Sequence, residues 1–225
     1  MALEGVAATV LRDAGRRVSA LNSSHPGTGI VDSTRLGGRT VALTFDDGPN
    51  PVDTPRLLRV LRTHGVRAVF CLSGDRAQEH PGLVRATVED GHVLGNHGMH
   101  HDDMTTWSAE EIRADLELTT AAIRRAVPGA DIPYFRAPYG SWGESPAVAV
   151  ELGMRPLGWR LGIGDWETPG TDVLVRRVEE GIGPGAVVLL HDGGGDRGQT
   201  VDAVDRLVPL LRAGGWDFDL PALPA

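Results

Sequence analysis

An α/β fold, parallel strands with helices packed outside them, is what this 225-residue sequence predicts. Three observations lead there. From residue 40 onward, short apolar runs alternate with capped helical segments, the pattern of a parallel sheet covered by helices. The length suits a single domain with a sizeable core. The polar residues that could carry chemistry fall at the carboxyl ends of the apolar runs, where parallel α/β folds gather their active sites.

In chain order, residues 2–21 read as an amphipathic helix with Val6, Val10 and Leu11 on one side. The turn-rich stretch 22–38 reads as a linker, so the chain divides into 1–38, a helix and linker, and 39–225, the α/β domain. Strands are predicted at 40–45, 67–72, 92–95, 132–135, 154–159, 186–191 and 216–219. Between them, Thr54 followed by Pro55 starts a helix that Gly65 stops. Ser108 with Glu111 makes a capping box ahead of Ile112, Leu116 and Ile123. Ser145 and Pro146 start another helix, which ends at Gly153. Thr171 or Asp172 caps the next. The last runs from about 200 to 213 and contains Pro209. Seven strands in this alternation fit either a closed barrel or an open doubly wound sheet. The first strand ends in FDDGP, with no GxGxxG to favour the open form.

Composition narrows the function. A formal charge of −8 without a basic block argues against nucleic acid as a partner. No apolar run reaches membrane-spanning length, so no membrane insertion is expected. Cys71 is the one cysteine, which excludes an intrachain disulfide and, in a buried strand, predicts an inert thiol. The first residues lack a signal-peptide pattern, so a cytoplasmic protein is expected, or a secreted one if a leader has been removed.

Five polar clusters converge on one face. They are Asp46-Asp47, the run Asn96 to His101, Arg136 to Gly140, Asp165-Trp166, and His191-Asp192. His97 and His101 stand four apart, the spacing at which a helical turn aims two imidazoles at one ion, with His100 a poorer competitor. Two His and one Asp leave positions open on a divalent ion, as a hydrolytic site requires. Zinc suits these ligands, and cobalt, nickel or manganese could take the same place. The adjacent aspartates then divide the work: one ligates, while the other takes a proton from the attacking water.

At these residues the chain resembles the polysaccharide deacetylase family, also known as the NodB-homology or carbohydrate esterase family 4 enzymes. The resemblance rests on TFDDGP (44–49), HGMHH (97–101), RAPYG (136–140), DW (165–166) and LLHDG (189–193), in family order over roughly residues 40–219. It implies a distorted (β/α)7 barrel and a metal-dependent hydrolase that frees an amine and acetate from an N-acetylated sugar or small molecule. It assigns Asp46 as general base, Asp47, His97 and His101 as metal ligands, and Arg136 as the residue that holds the base. Tyr139 would lend its backbone N–H to the oxyanion. Trp166 and Leu189 would wall the acetyl-methyl pocket, and His191 would protonate the leaving amine.

The family pattern places an aspartate three residues before the DW pair, as partner of the acid histidine. Here that position is Gly162. The expectation is weaker action on amides, or a substitute carboxylate from Asp192 or Asp196. The competing readings are an O-acetyl esterase or other amide or imide hydrolase on the same scaffold, and a carbohydrate-binding relative. Specificity is expected in loops 73–82, 102–108 and 192–199.

Overall fold

A computed structural model describes residues 29–223. In chain order the elements are β1 (Thr40–Asp46), α1 (Asp53–His64), β2 (Val69–Leu72), α2 (Gly74–Glu79), α3 (Pro81–Glu89), β3 (Val93–Asn96), α4 (Ala109–Ala126) and β4 (Tyr134–Phe135). They continue with α5 (Ser145–Glu151), β5 (Arg155–Pro156), β6 (Leu161–Gly162), α6 (Thr171–Gly181), β7 (Ala186–His191), α7 (Gly198–Ala213) and β8 (Asp217–Phe218). The strands pair in parallel in the order β5-β4-β3-β2-β1-β7-β6, with β8 added against the start of β1. The sheet curls, as a distorted (β/α)7 barrel does.

Every residue of β1 is buried, because a strand inside such a fold is covered on both faces. Alternation divides the cores. Val41, Leu43 and Phe45 point outward into the large cluster that includes Leu57, Leu61, Ile112, Leu116 and Leu207 of the helices. Ala42 points inward to a small cluster with Val69, Cys71, Tyr134, Leu157, Val187 and Leu220. The inward side of β1 therefore rises from Ala42 through Thr44 to Asp46, and the site begins where the small inner core ends.

Several local expectations hold. The capping box forms: Glu111 N–H donates to Ser108 Oγ at 3.3 Å, and Ser108 N–H donates to Glu111 Oε2 at 2.8 Å. Gly65 ends α1 in the left-handed conformation. Others are corrected. Helix α1 starts two residues early, at Asp53 rather than Pro55, because Asn50 Oδ1 accepts the N–H groups of Val52 and Asp53. Thr54 is thereby freed as a cap, and its hydroxyl turns to Asp192. Gly170, rather than Thr171 or Asp172, precedes α6 as its N-cap. Residues 73–82, expected as a loop, contain α2 and the start of α3. Helix α2 is a six-residue polar turn too short to show helical periodicity.

The strand inventory also changes. Residues 161–162 form β6, which completes the main sheet, whereas 217–218 only pairs with Thr40 and Val41 of β1. Two residues carry no alternation signal, and the glycines around β6 read as a loop. The predicted helix over 2–21 lies outside the described residues. Of the expected linker, Val31 bridges Leu157 in parallel, while Ser33 and Thr34 make antiparallel bridges to Ala186 and Pro221. Beneath β6, this segment thus spans from the β5 edge of the sheet to β7.

Candidate active site

Parallel register builds the site. Asp46 at the end of β1 is level with His191 at the end of β7 and with Cys71 on the other side. Asp46 is 3% exposed and is held by a fully buried Arg136, whose Nη1 donates to Asp46 Oδ1 at 2.7 Å. The same guanidinium donates to Thr44 Oγ1 and to the carbonyls of Leu157 and Gly158, each at 2.9 Å. Trp159 covers it, 5.7 Å from ring centroid to Cζ. A buried arginine satisfied on every side is a fixed charge, so it fixes the carboxylate it pairs with.

Strand alternation would turn Asp47 away from Asp46, but its φ of 69° breaks the alternation and brings its carboxylate to the same cleft. Its Oδ1 is 3.3 Å from His97 Nε2 and 3.2 Å from His101 Nε2. His97 Nδ1–H donates to the Arg136 carbonyl at 2.7 Å, so Nε2 is the nitrogen that faces Asp47. The expectation of a helical turn is corrected here. Residues 97–101 form a bend, with φ of 76° at Gly98 and 58° at His101, and the bend brings the second imidazole back to the first. A side chain at 98 would be strained by that φ and would meet Met104 Cε at 2.8 Å, which accounts for glycine. His100 lies outside, 60% exposed in its side chain and 3.9 Å from Asp75.

Asp47, His97 and His101 are the one set among the described residues whose ligand atoms converge, all within 4.8 Å of one another. Asp47 Oδ1 is buried with no hydrogen-bond partner. Two imidazole nitrogens and a buried, unpartnered carboxylate oxygen converging on one point fit a divalent cation. Burial alone would raise the Asp47 carboxyl. The imidazoles of His97, His191 and His101 outweigh it and hold it well below the usual carboxylate range. For His101, burial and then the His97 charge push the pKa down, toward the neutral form a ligand needs.

His191 has a partner. Its Nδ1 is 2.8 Å from Asp165 Oδ1, and its backbone N–H donates to Asp165 Oδ2 at 2.8 Å. Burial disfavours the imidazolium, but the charge of the Asp165 carboxylate beside it prevails and raises the His191 pKa. The expectation built on Gly162 is therefore overturned. Gly162 is level with Leu189, two residues below His191, so a carboxylate there would start a pleat too low. Asp165, three residues further on, reaches the imidazole. The proposed substitutes are not used either. Asp192 turns under the strand ends to Thr54, 2.5 Å away, and burial followed by the charges of Asp47 and Asp46 pushes it up to about 7. Asp196 accepts the Gly198 N–H in the following loop.

Around these groups, Tyr139 has a φ of 59° in the 3-10 turn Pro138–Gly140. Its ring is 70% exposed and packs edge-on to His101 at 4.4 Å. Trp166, 43% exposed, stands 5.3 Å from the His191 ring. Leu189 is buried on the same face of β7 as His191, one pleat below. Every sequence-predicted site residue thus belongs to this one face. Sequence reasoning named the DW pair yet gave Asp165 no role. Its position just past a strand end, beside a rim tryptophan, was the available signal.

Comparison with known proteins decides the family. The family model described as polysaccharide deacetylase matches residues 33–157. The chain belongs to the polysaccharide deacetylase family. A chitooligosaccharide deacetylase of Sinorhizobium fredii is 38% identical over 205 residues, covering 86% of this chain and 94% of that protein. A solved peptidoglycan N-acetylglucosamine deacetylase superposes with a TM-score of 0.80 at 31% identity, covering 85% of this chain and 90% of that one. A carbohydrate esterase family 4 pseudoenzyme from Bacillus anthracis superposes with a TM-score of 0.75 at 30% identity, covering 81% of this chain and 64% of that one. The polysaccharide deacetylase fold therefore does not by itself specify turnover; the residues of the site must.

Proposed function

We propose that this chain is a metal-dependent N-deacetylase that hydrolyses the acetamido group of an N-acetylated amino sugar or oligosaccharide to acetate and the free amine. One observation carries the reading. A carboxylate held by a buried arginine and an imidazole held by a buried carboxylate stand on adjacent strands in register, beside an Asp-His-His trio. That is a base and an acid flanking one cation site.

Asp47, His97 and His101 would hold the cation, with zinc the first candidate and cobalt, nickel or manganese able to take the same ligands; bound there, it supplies Lewis-acid polarisation of the acetyl carbonyl. Asp46 accepts a proton from the water that attacks the acetyl carbon, and Arg136 keeps its carboxylate aimed. The Tyr139 backbone N–H would donate to the developing oxyanion, the role the family resemblance gives it. The C–N bond breaks as His191 passes its proton to the amine nitrogen, and Asp165 stabilises the imidazolium that makes this possible. Trp166 and Leu189 line the space for the acetyl methyl group.

An amide needs its leaving nitrogen protonated, and the Asp165–His191 pair meets that need. The ester alternative rested on its lack. The chitooligosaccharide deacetylase likeness makes short N-acetylglucosamine oligomers the first substrates to try. The experiment is acetate release from N-acetylated and O-acetylated sugars by the metal-loaded protein, beside His97→Ala and Asp46→Asn. Release from N-acetyl substrates that both variants lose supports the proposal. Release from esters alone, or from nothing despite bound metal, overturns it.

A further inference from the structure

We propose that Thr200 is a positioning residue for the acid side of the site: its hydroxyl locks the Asp165 carboxylate in the orientation that presents Oδ1 to His191. The inference rests on the reading of His191 as the proton donor, and it adds a residue that none of the five sequence clusters contains.

The argument starts from how Asp165 is held. Its carboxylate is 1% exposed and receives three donors. Two belong to His191: Nδ1–H to Oδ1 at 2.8 Å and the backbone N–H to Oδ2 at 2.8 Å. The third is Thr200 Oγ1–H, which donates to Oδ2 at 2.9 Å. Of these two, only the backbone N–H is fixed to the sheet, through β7; the imidazole donor can turn with its side chain. Thr200 ties the carboxylate to a separate element, α7. It is itself 1% exposed, so no bulk water replaces its hydroxyl if that is lost.

The mount is rigid. Gln199 Oε1 accepts the Gly170 N–H at 2.5 Å, joining the first turn of α7 to the start of α6. The Arg197 N–H donates to Asp53 Oδ2 at 2.9 Å, joining it to the first turn of α1. The Arg197 guanidinium, in a residue 5% exposed, donates to the carbonyls of Gly193 at 2.8 Å and Gly194 at 3.0 Å, in the loop that leaves His191. Three ties to three different segments give Thr200 a fixed origin from which to hold Asp165.

The charged and titratable groups around His191 are Asp165 from the turn after β6, Asp46 and Asp47 from the end of β1, His101 from the bend after β3, and its neighbour Asp192. Thr200 is uncharged, so replacing it leaves that set intact. A moved pH profile then reports the geometry of the Asp165–His191 contact.

The test compares wild type, Thr200→Val, Thr200→Ser and His191→Gln, all metal-loaded. The readouts are kcat and KM against pH on an N-acetylglucosamine oligomer, and the downfield His191 Nδ1 proton by NMR. Thr200→Val keeps the volume and removes the donor. It is expected to lower kcat about tenfold with KM little changed, a partial loss of general-acid catalysis. Its alkaline limb should move to lower pH by about half a unit or more, and its Nδ1 resonance should broaden or vanish. Thr200→Ser should restore all three. A Thr200→Val enzyme with an unmoved or upward-shifted limb, or a loss that Thr200→Ser does not repair, overturns the proposal. If His191→Gln keeps the wild-type alkaline limb, the acid assignment fails instead. The proton resonance then decides alone: retained in Thr200→Val it refutes the positioning, lost there and regained in Thr200→Ser it upholds it.

Discussion

Four non-glycine residues among those described have positive φ, and three of them are Asp47, His101 and Tyr139. A left-handed conformation costs such residues about 1 kcal/mol or more each. The surroundings must over-determine them, and here the strain buys direction: Asp47 leaves the plane of its strand, and His101 folds back toward His97. At this scale the pairing of His191 makes a signed prediction. His191 must be protonated to donate, so the rate falls as pH rises through its pKa, and Asp165 raises that pKa. Asp165→Asn should therefore move the alkaline limb of kcat/KM to lower pH and cost on the order of 100-fold in kcat. A limb that stays in place would break the link between the two residues. Conversely, Gly162→Asp should leave the limb where it is and lower the melting temperature, because it puts an unpaired carboxylate beside buried Leu189.

Among the elements, α4 carries the most complete local signal and α2 the least. The Ser108–Glu111 box satisfies backbone and side-chain donors reciprocally, so Ser108→Ala should cost about 1 kcal/mol of stability. Activity should be retained, since α4 reaches the site only beyond its first turn, where Asp115 Oδ1 accepts the Met99 N–H at 2.9 Å and the Leu116 carbonyl accepts from Asn96 Nδ2 at 2.8 Å. Denaturant unfolding with parallel acetate assays checks both halves. β1 was legible almost to the residue because both its faces are apolar up to the aspartates. β6 was not, because two residues between glycines carry no period. The Thr54 cap does not form because Asn50 caps the chain earlier, at the N–H groups of Val52 and Asp53, and the threonine hydroxyl donates to Asp192, 138 residues away.

For the whole molecule, the cation site couples chemistry to stability. Three inward-facing ligand groups come from the ends of β1 and β3, so a cation bound there ties those strand ends together and stabilises the folded state by linkage. Zinc should raise the melting temperature of metal-free protein, a chelator should reverse the rise, and His97→Ala should abolish it. Absence of any shift would speak against the trio as a metal site. No described helix is long and apolar enough to cross a membrane.

The choice of Asp47, His97 and His101 as a trio is what the family resemblance implies; read as a string of residues, the sequence settles the fold class and the cluster at each strand end. Local chemistry suffices for these: buried parallel strands write continuous apolar runs, and polar residues survive next to them only where strands end in a cleft. What it leaves to the tertiary structure is which group pairs with which. Whether a carboxylate at 162 or 165 reaches the imidazole at 191 depends on a register between β6 and β7 that two residues cannot announce. Whether Thr200 touches Asp165 depends on how the first turn of α7 docks across a sequence separation of 35. Long-range hydrogen bonds leave no periodic trace along the chain, so the partners of Asp165, Asp192 and Arg197 became visible only once the strands and helices were in place.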